Sequence, residues 1–278
     1  MRHLYIAGAL GLEGYYSFGQ VLIDKFDSVD LIERKIRMNI SPRTEREIEK
    51  KWRDHLLTHP EDFDGDLGSV IEMYEYPRGT LKVKFHKGKF SQFYGTYENR
   101  KEKLDLKQDV LDREICLPVS IGAVMRTPST SEYPNGCIVF AKRGKTAFDE
   151  KTITLLPGGY FDPTKDFFFK ERSNRLVKEY SITTTLLREL FEETEILLNT
   201  VKINYLGVVY NSQGSRQPLI ACYIDVPFSE KLITDEESEK IFLVKNDIKS
   251  VRDFLKGKKL AVHDAWKLIL YFNKMLKD

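Results

Sequence analysis

Between residues 119 and 226 short apolar runs alternate with one long stretch of helical periodicity. That alternation restricts the chain to an α/β fold more tightly than any other feature of its 278 residues. Residues 119–126, 137–143 and 153–156 read as strands, 174–195 as a helix, and 201–210 and 219–226 as strands again. A short strand at 241–244 and helices at 248–255 and 264–276 follow, the last with Trp266, Leu270 and Phe272 among its apolar residues. Upstream, Ile48, Trp52, Leu56 and Leu57 mark a helix over 42–58 opened by Ser41. Residues 69–97 break into short apolar runs at Pro77-Arg78-Gly79 and Lys87-Gly88 and read as an antiparallel meander. The Lys- and Asp-rich stretch 98–114 is the expected boundary. The chain therefore divides into a small α+β module over 1–110 and an α/β domain with a mixed sheet over 111–278.

Hydrophobic residues make up 41% of the chain and charged residues 31%, enough to bury a substantial core. The 44 basic and 42 acidic side chains nearly cancel. No overall field steers the molecule toward nucleic acid or an anionic membrane, and neither is an expected partner. Cys116, Cys137 and Cys222 are scattered among apolar residues, which argues against a disulfide framework or a zinc cluster and for a reducing cytoplasm. No apolar run approaches the roughly 18 residues that span a bilayer. Residues 4–12 are apolar after Arg2 and His3 but run directly into Glu13, so they read as a strand rather than a signal peptide. Three roles stay open for the first forty residues: covering a pocket, joining two copies as a homodimer, or extending the core.

The chemistry concentrates in Arg188-Glu189-Leu190-Phe191-Glu192-Glu193, which puts carboxylates at i, i+3 and i+4 on one face of a helix. Like charges stacked this way repel, so three together call for solvent or for a cation that benefits from their proximity. A hard divalent ion such as Mg2+, with Mn2+ as an alternative, takes oxygen ligands of this kind, and Glu189, Glu192 and Glu193 are the candidate metal ligands. Arg188 can fork onto a neighbouring carboxylate and set its direction. Taken alone, the acidic run reads first as a solvated face. Its context is Leu155-Leu156-Pro157-Gly158-Gly159, where a strand ends in two residues without Cβ and the chain can expose backbone N–H groups.

The glycine turn and the acidic helix together resemble the box of the Nudix hydrolases. The resemblance implies an α/β/α sandwich and a magnesium-assisted attack of water on a diphosphate that joins a nucleoside to another group. By motif match Glu189, Glu192 and Glu193 inherit the metal-ligand roles, Arg188 the orienting role, and Gly159 the place of the loop glycine. Gly158 and Gly159 would face the substrate. The sequence departs from the pattern in three places. Twenty-eight residues separate Gly159 from Arg188, about fifteen more than the box usually has, an insertion that costs little in closure entropy. Tyr180 stands where the family usually has a glutamate. Glu195 replaces the glycine that ends the helix, so the helix is expected to run on toward Asn199. These departures, with Phe63-Asp64-Gly65, Phe93-Tyr94-Gly95-Thr96 and Leu206-Gly207-Val208 in the same order, resemble the animal branch that acts on UDP-glucose and UDP-galactose.

A proton acceptor for the attacking water could be a helix glutamate or one from the acidic run 235–239, where Glu237 and Glu239 are the candidates. The segment Tyr210-Asn211-Ser212-Gln213-Gly214-Ser215-Arg216 reads as a loop between strands, and Tyr210, Asn211 and Arg216 could contact a base, sugar or phosphate. Arg143, with Lys142, could contact phosphate from the end of a strand. The expected partner is thus a small nucleotide conjugate. ADP-ribose, dinucleotide or coenzyme A derivatives would be served by the same chemistry, and a nucleotide-binding module without turnover is the reading that Tyr180 and Glu195 would favour.

Overall fold

The computed structural model describes residues 2–16, 19–23, 26–96, 114–144, 152–173, 175–211, 217–227 and 238–277. Its elements are α1 (Arg2–Leu10), α2 (Glu13–Tyr16), β1 (Gly19–Ile23), β2 (Ser28–Glu33), α3 (Pro42–Leu56), β3 (Asp66–Tyr76), β4 (Thr80–Lys89) and α4 (Phe90–Gly95). There follow β5 (Ser120–Arg126), β6 (Cys137–Arg143), β7 (Ile153–Leu155), β8 (Gly158–Tyr160), β9 (Phe167–Arg172), β10 (Arg175–Tyr180) and α5 (Ile182–Thr194). The chain ends with β11 (Asn204–Asn211), β12 (Pro218–Asp225), β13 (Ser238–Lys245), α6 (Ile248–Leu255) and α7 (Val262–Met275).

Two mixed sheets organise these elements. The larger runs β1-β11-β12-β5-β6-β13, with β12 parallel to β5. β5 and β6 touch at Arg126 and Ile138 and then splay, β7 lining β6 and β8 lining β5 inside the fork. The smaller sheet runs β3-β4-β2-β10-β9, with β2 parallel to β4.

Alternation along the central strands sorts side chains to two cores, as a pleated strand requires. Val124, Phe140, Val209 and Ala221 join α1, α6 and α7 on one face of the large sheet. Ile121, Ala123, Val139, Ile220 and Cys222 meet α5 and the small sheet on the other. The result is an α/β/α layering in which the small sheet shares a layer with α5.

Several expectations are corrected. Residues 4–12 form most of a helix rather than a strand: Ile6, Ala7 and Leu10 are buried against α7, so this segment extends the core. The run around Phe90, Phe93 and Tyr94 is α4, not a third meander strand, and Asp64 caps it through Ser91. The sheets do not divide the chain at residue 110, because β1 joins the large sheet while β9 and β10 complete the small one. The stretch 98–113 of the expected boundary lies outside the described residues.

The expected helix over 174–195 starts only at Ile182. Residues 175–180 instead pair with 167–172 in a hairpin that turns at Ser173, whose φ is 49°. Phe167, Phe168, Phe169 and Val177 favour strand over helix, and Lys178 sits 3.8 Å over the Phe167 ring. The insertion after the paired glycines is this hairpin. It docks on the small sheet through Tyr180 opposite Leu31, and the Tyr180 hydroxyl donates to Glu33. No described helix is long and apolar enough to cross a membrane.

Candidate active site

α5 has the composition of an amphipathic helix. Ser181 caps it by accepting the Thr184 N–H at 3.3 Å, and Ile182, Leu186 and Leu190 recur every fourth residue and pack into the core. The opposite face carries Arg188, Glu189, Glu192 and Glu193 up to Gly158 and Gly159, which lie in strand β8 beside β5 rather than in the expected turn; the bend after β7 is Leu156-Pro157. The helix stops at Thr194 because Glu195 takes a left-handed conformation, φ 56° and ψ 13°, and donates its N–H to Phe191. It adopts the geometry that glycine would supply without strain, and the expected extension toward Asn199 does not occur.

Gly158 donates its N–H to Glu193 Oε2 at 3.1 Å. At Gly159 a Cβ would lie 2.0 Å from Glu189 Cδ, so only glycine lets that carboxylate sit over β8. Arg188 binds in several directions at once. Nε and Nη2 fork onto Asp166 at 2.9 and 3.0 Å, Nη2 also reaches the Tyr160 carbonyl at 2.9 Å, and Nη1 bonds Glu189 at 2.7 Å and Glu192 at 2.9 Å. Burial works against the guanidinium charge, but the bonds to Asp166 and the fields of Glu189 and Glu192 more than offset it, holding its pKa above the usual value.

Asp166 is fully buried and sequence reading missed it. It accepts the Asp162 N–H at 2.8 Å as well as the Arg188 fork, so it anchors the arginine that aligns two of the glutamates. Counting back from Arg188 pointed to Tyr180. Asp166 lies on the other side of the hairpin, before β9, and the fold brings it back under Arg188. Tyr180 packs on Phe85 and Phe161 and bonds Glu33, and burial followed by that bond raises its pKa.

The three glutamates differ in setting. Glu189 is largely buried, and desolvation, added to by the charges of Glu192 and Asp166 and partly offset by Arg188, pushes its carboxyl up to about 7. Glu192 has a half-exposed side chain, and Glu193 is less exposed than Glu192. Among the described residues no three His, Cys, Asp or Glu side chains converge as a ready-made ligand set. The carboxylates repel, and each takes the nearest N–H donor, Arg188 for two of them and Gly158 for the third. Their chemistry nevertheless fits a hard cation: three anionic oxygen donors on one face, one of them in a low-dielectric setting that disfavours its charge.

The remaining sequence candidates fall elsewhere. Glu239 pairs with Lys142 at 2.8 Å across β13 and β6. Arg143 closes β6, its N–H donated to Thr152. Tyr210 is not in a loop: β11 continues through Asn211, β1 pairs outside it, and Tyr210 is only 5% exposed. Glu237 and Arg216 lie outside the described residues.

No family model matches this chain, and no curated protein matches it. Solved structures do overlap it in part. The Nudix domain of Shewanella oneidensis NrtR, complexed with ADP ribose, shares 18% identity over 58% of this chain and 89% of that one, with a TM-score of 0.38. A MutT/nudix family protein from Enterococcus faecalis shares 15% over 69% and 71%, with a TM-score of 0.41. A C. elegans Ap4A hydrolase in a binary complex shares 11% over 58% and 100%, with a TM-score of 0.38.

Proposed function

We propose that the chain is a Nudix-type hydrolase that, with Mg2+ or Mn2+, splits the diphosphate of a nucleotide conjugate, and that its substrate class is a nucleoside diphosphate sugar of the UDP-glucose type. One observation carries the reading: Arg188, anchored on buried Asp166, aligns Glu189 and Glu192 beside Gly158, whose N–H holds Glu193. Glu189, Glu192 and Glu193 would hold the ion. When bound, a divalent cation neutralises charge that develops on the phosphoryl oxygens.

The protein's own groups supply the rest. Arg188 fixes carboxylate direction and, being fully engaged, spends no hydrogen bond on substrate. Gly159 keeps β8 close to Glu189. A helix glutamate, or Glu237 or Glu239, would accept the proton of the attacking water. The products would be a nucleoside monophosphate and a sugar 1-phosphate. The hairpin insertion and the residue ending α5 are the features shared with the UDP-sugar branch.

The test is a chromatographic product assay with Mg2+ on UDP-glucose, UDP-galactose, ADP-ribose, a dinucleoside polyphosphate and coenzyme A. Preferential cleavage of the UDP-sugars supports the reading. Preferential cleavage of another conjugate overturns the substrate class, and binding without cleavage of any of them overturns the hydrolase.

A further inference from the structure

α7 buries a charged pair that the proposed reaction does not use. Lys267 is 3% exposed, and its ammonium lies 2.6 Å from Asp264, itself nearly buried. The pair sits in the fork of the large sheet. Lys267 Nζ reaches the Leu155 carbonyl on β7 at 3.4 Å, and on the other side it fills space left by Gly122 of β5, where a Cβ would come within 2.9 Å. Gly122 is the residue paired with Gly158.

The grip on β7 is complete. Ile153 donates its N–H to Lys259 at 2.8 Å, Thr154 donates its hydroxyl to Asp264 at 2.9 Å, and Leu155 accepts from Lys267. All three residues of this strand are therefore held by the segment 259–267. The next residues, Leu156 and Pro157, lead straight into Gly158, and the Pro157 carbonyl accepts from Ala123 at 2.8 Å.

A buried ion pair is a costly way to fill space, since two apolar side chains of the same volume usually serve stability as well or better. Charged hydrogen bonds are directional where apolar contacts are not, and here they add a second hold on β7 from the side opposite to the ladder that pairs it with β6. We propose that Lys267 and Asp264 are positioning residues that fix β7 along its axis and so place the Gly158 N–H against Glu193. The proposal rests on the functional reading above for its consequence in turnover, while its structural part stands apart from it.

The experiment uses the full chain with Lys267→Met and Asp264→Asn combined, which removes both charges at similar volume, and separately Thr154→Val, which removes only the Asp264 bond to β7. The readouts are the Gly158 amide resonance and its solvent exchange by NMR, thermal melting, and kinetics. The double variant should melt cooperatively at or above the wild-type temperature. Its Gly158 amide should shift and exchange faster, and its turnover should fall on the order of 10²-fold with KM nearly unchanged. Thr154→Val should move the same resonance by less. A wild-type Gly158 amide in both variants overturns the proposal. A wild-type protein that cleaves no diphosphate overturns the functional reading alone, because the amide readout needs no turnover.

Discussion

Replacing Glu189 by Gln should stabilise the protein in chelator while abolishing its hydrolysis, and the stabilisation should grow with pH. The side chain is 14% exposed, and its carboxyl is pushed from 4.5 to about 7, first by burial. A shift of this size corresponds to roughly 3 kcal/mol. The folded state holds the proton more tightly than the unfolded chain does. This contribution to stability is therefore fully present below pH 4.5 and is lost as pH rises through about 7. Gln cannot ionise and still accepts the Arg188 bond, so it escapes the loss. Melting curves from pH 5 to 8.5 should thus separate, the variant gaining on the wild type by up to roughly 6 °C at the alkaline end. Parallel curves across that range would refute the reasoning, because they would mean that Glu189 carries no penalty for its charge. Added Mg2+ should narrow the gap at pH 8 by stabilising only the wild type.

Three other substitutions probe the same arrangement. Asp166→Ala leaves the Arg188 guanidinium buried without its forked partner and should cost about 3–5 kcal/mol in chemical denaturation; a loss under about 1 kcal/mol would show the fork to be dispensable. Gly159→Ala puts a methyl 2.0 Å from Glu189 Cδ, and displacing that carboxylate should lower turnover on the order of 10²-fold, measured at saturating substrate. Glu195→Gly relieves a left-handed non-glycine residue and should raise stability by up to about 1 kcal/mol, with activity unchanged; a destabilised variant would mean that the Glu195 side chain makes a compensating contact.

The central strands were legible because their alternation and apolar content match a sheet buried on both faces, as in Ile138, Val139 and Phe140. The acidic face of α5 was legible because i, i+3, i+4 spacing carries geometry in one dimension, whereas the paired glycines read as a turn and form strand β8 because β5 offers them a partner. The rest depended on partners far along the chain. Residues 175–180 kept a helix-like pattern until cross-strand pairing with 167–172 claimed them. Residues 4–12 became a helix because α7 offers it an apolar face. Asp166 looks like any loop acid, and its role exists only where the chain brings it under Arg188. Lys267 sits on an amphipathic helix as an ordinary charged residue until the sheet forks around it.

The central claim is that Glu189, Glu192 and Glu193 hold one divalent ion beside Gly158 and Gly159. Calorimetric titration of Mg2+ into the wild-type protein and into Glu192→Gln/Glu193→Gln, at pH 8 and in the presence of a non-hydrolysable nucleoside diphosphate analogue, measures it directly. The account predicts one saturable site in the wild type, weakened at least about tenfold in the double variant, since each lost carboxylate removes a charged oxygen donor. Equal affinity in the two proteins would contradict it.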